Sequence, residues 1–233
     1  MNHNSAFFIF QSVLSYSSQL ALLVPLWIGY QRRHLLKPEH KAVFWCCVMW
    51  AILTVVGEIL FAAKRHNLFV WNIVTVLETL LLGYAFYLAL NSRIIRSFIR
   101  IAAGLFIVTA TADFFFISGL EATTIYTVAL ESILLITVVL LYFERSLHEL
   151  RTTPLEQHPM FVIGIGVIVY FAGTTMVFLL KDSVRGIQMV MMMMVNSVLS
   201  FVLNLVIARA FWLVGRKPVS LLPHLSTHTA EVA

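Results

Sequence analysis

Apolar residues in this chain come in long runs, separated by short polar stretches, from near the first residue to about residue 213. Seven runs can be marked off, at 6–30, 41–63, 69–90, 98–118, 123–143, 159–180 and 187–213. None shows the apolar–polar alternation of a half-buried or barrel strand, so each is read as a helix. Each is near the ~20 residues that a helix needs to cross the hydrocarbon of a bilayer. The short connections make successive helices antiparallel neighbours. The pattern predicts an all-α integral membrane protein, a seven-transmembrane-helix bundle over residues 1–217. Residues 218–233, rich in Ser, Thr, His and Pro, are expected to be a disordered cytoplasmic tail.

The polar residues inside these runs are not scattered. A four-residue pattern, an acid or amide followed by Ser or Thr and two aliphatic residues, occurs four times. It reads Gln11-Ser12-Val13-Leu14, Glu78-Thr79-Leu80-Leu81, Glu131-Ser132-Ile133-Leu134 and Asn196-Ser197-Val198-Leu199. All four copies fall on odd-numbered spans. Even-numbered spans carry a weaker echo at Gly57-Glu58-Ile59, Ala112-Asp113-Phe114 and Thr174-Thr175-Met176. The arrangement suggests a first helix followed by three helical hairpins, spans 2–3, 4–5 and 6–7. It also brings Gln11, Glu58, Glu78, Asp113, Glu131 and Asn196 to similar depth in the outer half of the membrane. Polar groups at membrane depth face an interior or a cavity, because lipid cannot solvate them. The expected site is therefore an outward-facing cavity lined by these six, with Asn72, Tyr126 and Tyr170 supplying hydrogen bonds. Two plainer readings stand beside it: neutral acids bonding across helices as glue, or acids solvated at the headgroup level. No Lys or Arg occurs at that depth, so close carboxylates cannot all ionise, and at least one is expected to be neutral at pH 7.

Composition agrees with a membrane class: 60% of residues are hydrophobic and 12% charged, against about 25% charged in soluble domains. The net charge of +5 does not indicate nucleic-acid binding, because the basic residues sit in loops between apolar runs. Twelve of the sixteen Lys and Arg fall on one side of the predicted topology. The positive-inside bias then puts the N-terminus outside and the C-terminus in the cytoplasm. Met1–Ser5 lacks the basic start of a signal peptide, and the first run ends in Arg32-Arg33 without a cleavage site, so it is expected to be the first span. Pro25 should kink that span. Adjacent Cys46 and Cys47 point about 100° apart on a helix and are read as free core residues.

Several chemistries find no support. The eight histidines are assigned to loops and tails, so neither a zinc site nor bis-histidine haem is expected. The seventh span has no lysine for a retinal Schiff base. No P-loop or dinucleotide glycine pattern occurs, and no nucleophile has a basic partner in a span. The expectation is therefore no enzyme, no cofactor and no metal.

The segments Trp50-Ala-Ile-Leu-Thr-Val-Val-Gly-Glu58 and Leu68-Phe-Val-Trp71-Asn72-Ile-Val-Thr-Val-Leu-Glu78 resemble small seven-helix proteins common in Bacteroidetes-type bacteria. They are also similar to the seven-helix sensor regions that precede bacterial histidine kinases. The likeness covers mainly the second and third spans, and no phosphoacceptor or ATP-binding domain is expected after the seventh. It implies a bacterial inner-membrane sensor or scaffold whose output runs through a membrane or cytoplasmic signalling partner. The expected function is receptor-like, with the lipid bilayer as environment and a small cationic or hydrogen-bonding ligand to suit the acids. The alternative is a proton- or cation-coupled small-solute transporter.

Overall fold

The computed structural model describes residues 3–64, 67–117, 125–149, 155–180 and 186–216. The expected tail, and the connections holding Arg65, Gly119, Arg151, Lys181, Arg185 and Lys217, lie outside the described residues. The helices are α1 (His3–Ala21), α2 (Leu23–Gln31), α3 (Pro38–Ala62), α4 (Leu68–Ala89), α5 (Arg93–Ala112), α6 (Ile125–Glu149), α7 (Pro159–Leu180) and α8 (Ile187–Leu213). A π-helical segment, Asp113–Ile117, extends α5, and a 3₁₀ turn, Leu155–Gln157, precedes α7. No strand occurs among the described residues. Among the described residues, seven helices are long and apolar enough to cross a membrane, with α1 and α2 together forming the first.

The α1–α2 break has a local cause. Pro25 has no N–H to give the carbonyl of Ala21, and its ring crowds that carbonyl, so the helix is interrupted at Leu22. Elsewhere the helices outlast their apolar runs. α5 starts at Arg93 and α6 continues through Glu144, Arg145 and His148. Hydropathy marks the lipid-compatible length, whereas the backbone hydrogen bonds of a helix persist into water.

The helices form a ring. α1 and α2 pack on α8, α8 on α7, α7 on α6, α6 on α4, α4 on α3, and α3 returns to α2. α5 stands outside the ring, against α4, α6 and its own π segment. One end of the ring is filled by an apolar core that includes Phe86, Leu135, Ile163, Ile207 and Phe211. Cys46 and Cys47 are buried there as free thiols. In lipid, helices associate through close packing rather than hydrophobic exclusion, and small residues permit the approach. A Cβ on Gly164 would meet Phe143 of α6 at 2.6 Å, and one on Gly166 would meet Val206 of α8 at 2.9 Å. The outer surface carries large apolar side chains such as Trp27, Trp45, Phe61, Ile101 and Phe116, all exposed.

Arginines finish the same end. Arg32 Nη1 donates to the carbonyl oxygens of Trp212 and Val214 at 2.7 Å each, satisfying acceptors at the C-terminus of α8. Its guanidinium lies over the Trp212 ring, as does that of Arg216. Arg96 likewise donates to Tyr87 and Leu90 oxygens at the end of α4. The histidine assignment needs correction: His40 is buried in the first turn of α3, and His148 lies in the last turn of α6.

Candidate functional site

Inside the other end of the ring lies a cavity of about 530 Å³. Six helices wall it, each with one face. α1 contributes Gln11, Ser15, Ser18 and Gln19, with Leu22 at its break from α2; α3 contributes Trp50, Thr54 and Glu58; α4 contributes Trp71, Thr75 and Glu78. α6 adds Glu131 and Ser132, α7 adds Tyr170 and Thr174, and α8 adds Met193, Ser197, Ser200 and Asn204. The spacing is i, i+4, i+7, i+11 in Gln11, Ser15, Ser18, Leu22, and again in Met193, Ser197, Ser200, Asn204. That is the repeat of a single helix face. The bundle is thus polar within and apolar without.

The cavity has a mouth and a floor. Glu58, one turn from the end of α3, is exposed and accepts a hydrogen bond from Gln19 Nε2 at 3.2 Å. Glu78, Glu131 and Asn204 lie deeper, at 5%, 4% and 4% exposure. The Glu131 Oε1–Thr79 Oγ1 distance is 2.7 Å, and Thr79 Oγ1 also lies 2.8 Å from the Thr75 carbonyl oxygen. Thr79 has one proton. Both contacts can be full hydrogen bonds only when the Glu131 carboxyl carries the second. The Trp50 side chain hydrogen-bonds the Glu78 carboxyl, while Glu78 Oε1 is buried without a partner. Asn204 Nδ2 donates to the Ser18 carbonyl at 3.2 Å, leaving Asn204 Oδ1 unpartnered, and Asn196 Oδ1 is unpartnered too. Among the described residues no Lys, Arg or His lines the cavity, and no cluster of His, Cys, Asp and Glu could hold a metal ion.

Seven of the residues singled out from sequence, Gln11, Glu58, Asn72, Glu78, Glu131, Tyr170 and Asn196, line this cavity. Two do not. Tyr126 is 63% exposed on the outside of α6. Asp113 is fully buried, yet opens the π-helical segment that extends α5, the helix left out of the ring. Its Oδ2 accepts from the Thr127 backbone N–H at 3.1 Å and from Thr127 Oγ1 at 2.8 Å. Thr127 is in the first turn of α6, whose early N–H groups have no intrahelical acceptor. Asp113 therefore caps α6 and does not join the other acids. Sequence reasoning missed Gln19, Trp50, Thr54 and Asn204. Helical spacing from Ser197 to Asn204, seven residues apart, was the signal that could have found the last.

The chain matches no family model, no curated protein and no solved structure.

Proposed function

We propose that this is a receptor-like, sensory seven-helix protein of a bacterial inner membrane, which admits a small ligand to the cavity from the outer face. The observation that carries the reading is the cavity wall itself: one bound molecule would touch six helices at once. A ligand shifts a conformational equilibrium by its differential contacts with the two states. Contacts shared among six helices give such a difference an immediate route to helix packing. The mouth lies opposite the arginine-rich end, which the positive-inside bias assigns to the cytoplasm. There Arg32 ties the end of α8 to the first span, a junction that a cytoplasmic or membrane partner could read. In this reading the protein is not an enzyme.

Transport is the second reading, and one observation favours it. The break at Leu22 interrupts a helix that lines the cavity, and discontinuous helices form binding sites in many transporters. Cysteine accessibility tests the shared premise. With Cys46 and Cys47 buried, Ser197→Cys in intact spheroplasts should react with a small membrane-impermeant thiol reagent added outside. Labelling only from the cytoplasmic side would reverse the orientation, and labelling from neither would remove the site. Proteoliposomes then separate the two functions, since accumulation of solute driven by an ion gradient would favour transport.

A further inference from the structure

We propose that the cavity receives a small organic amine, a primary or secondary ammonium with further hydrogen-bond donors, that seats its N–H groups on Glu78 and directs its other donors to the oxygens of Asn196 and Asn204. This rests on the reading of the cavity as a ligand site. It follows from the inventory of donors and acceptors on the wall. The hydroxyls of Ser18, Thr75, Ser132, Thr174 and Ser197 each donate to a carbonyl of their own helix, at 2.8 to 3.2 Å. A hydroxyl has one proton, so these five turn only lone pairs to the interior. Three amide and indole donors are engaged as well: Gln19 with Glu58, Asn204 with Ser18, and Trp50 with Glu78. The fully buried side-chain atoms left unmatched on the wall are acceptors. Five buried side-chain atoms lack a partner among the described residues; two belong to His40, and the other three are Glu78 Oε1, Asn196 Oδ1 and Asn204 Oδ1. All three of these residues line the cavity.

A buried acceptor without a donor is unfavourable, so the complementary guest carries several donors and few acceptors. An ammonium group has that profile and also offsets the charge of an ionised Glu78, which no cavity-lining cation does. The volume of about 530 Å³ falls in the range of organic-ligand pockets, roughly 300–1,000 Å³, and far exceeds a bare metal ion. The Trp50, Trp71 and Tyr170 side chains on the wall offer aromatic surface for a cation and its hydrocarbon stem. A quaternary ammonium would bring charge but no N–H, and would leave the three oxygens unmatched.

The test uses the full chain in lipid nanodiscs, with intrinsic tryptophan fluorescence and calorimetry. The probes are putrescine and 4-amino-1-butanol, their neutral analogue 1,4-butanediol, and choline. Both amines should bind saturably and perturb tryptophan emission, with butanediol and choline at least about tenfold weaker. Glu78→Gln should weaken amine binding by at least about tenfold while the protein still elutes as one species. Should that variant not purify, Asn196→Leu, at a half-buried position, probes the same group of oxygens and should weaken binding several-fold. Equal binding of butanediol would overturn the amine assignment and leave a neutral hydrogen-bonding site. Equal binding of choline would overturn the N–H requirement. If no probe binds but Ser197→Cys is accessible, the amine inference fails and the site reading stands. If Ser197→Cys is inaccessible as well, both fall.

Discussion

Replacing Asp113 should loosen the bundle without touching the cavity. Asp113 is fully buried and its Oδ2 accepts from both the backbone N–H and the hydroxyl of Thr127. Asp113→Ala removes a helix cap, a loss of about 0.5–2 kcal/mol, and strands a buried N–H, a penalty of about 1–3 kcal/mol. The two overlap, because the same N–H is counted in each, so the expected loss is about 2–3 kcal/mol. For a chain of this length that lowers the melting temperature by about 5–10 °C. Asp113→Asn keeps one carbonyl acceptor and should lose about 1 kcal/mol or less. Thr127→Val keeps the backbone bond and removes only the hydroxyl, about 1 kcal/mol. Combined with Asp113→Ala it should be less than additive, since both changes delete the same contact. Thermal unfolding in detergent, read by tryptophan fluorescence, measures all four variants, with thiol labelling at Ser197→Cys reporting cavity access. If Asp113→Ala melts within about 1 °C of the parent, yet changes labelling at Ser197→Cys, Asp113 belongs to the site and the capping argument is wrong.

Thr79→Val deletes the hydroxyl bonded to Glu131 and should destabilise by about 0.5–1.5 kcal/mol, since bonds between membrane helices are modest; a loss above that range would mean the floor is a cooperative network. Gly166→Val should lower the melting temperature through its clash with Val206, whereas Gly104→Ala, with open space around it, should not; equal effects would show that α7 and α8 do not need this close approach. Reporters fused after Arg33, Arg96, Arg151 and Lys217 should read cytoplasmic, and those after Arg65, Gly119 and Asp182 external; the opposite result would turn the cavity mouth inward. Burial and the nearby Lys37 hold His158 below the ordinary histidine value of 6.5. The unfolded chain thus takes up that proton more readily, so the stability it contributes is present above pH 6.5 and lost as pH falls below it. His158→Gln should flatten melting temperature against pH in that window, and an unchanged slope would assign the effect elsewhere.

Seven helices of the right length were legible because lipid-compatible apolar runs and short loops leave the backbone few alternatives. Pro25 likewise announced the break at Leu22, since a missing N–H acts within one helix. The polar faces were partly legible for the same reason: Gln11, Glu78, Glu131 and Asn196 repeat one pattern, and helical spacing extends it to Asn204. What each face meets is a different kind of fact. Asp113 carries the same chemistry as Glu58 and echoes the same motif, yet α5 stands outside the ring and Asp113 caps α6. Tyr126 faces outward although it lies five residues from Glu131, because five residues turn a helix by about 500° and bring a side chain onto a different face. The unmatched oxygens of Glu78, Asn196 and Asn204 were also invisible in sequence. Whether a polar atom has a partner depends on atoms far along the chain, such as the Ser18 carbonyl that engages the Asn204 amide. Periodicity fixes which residues share a face of one helix; only the packing of helices against one another decides which faces enclose a common space.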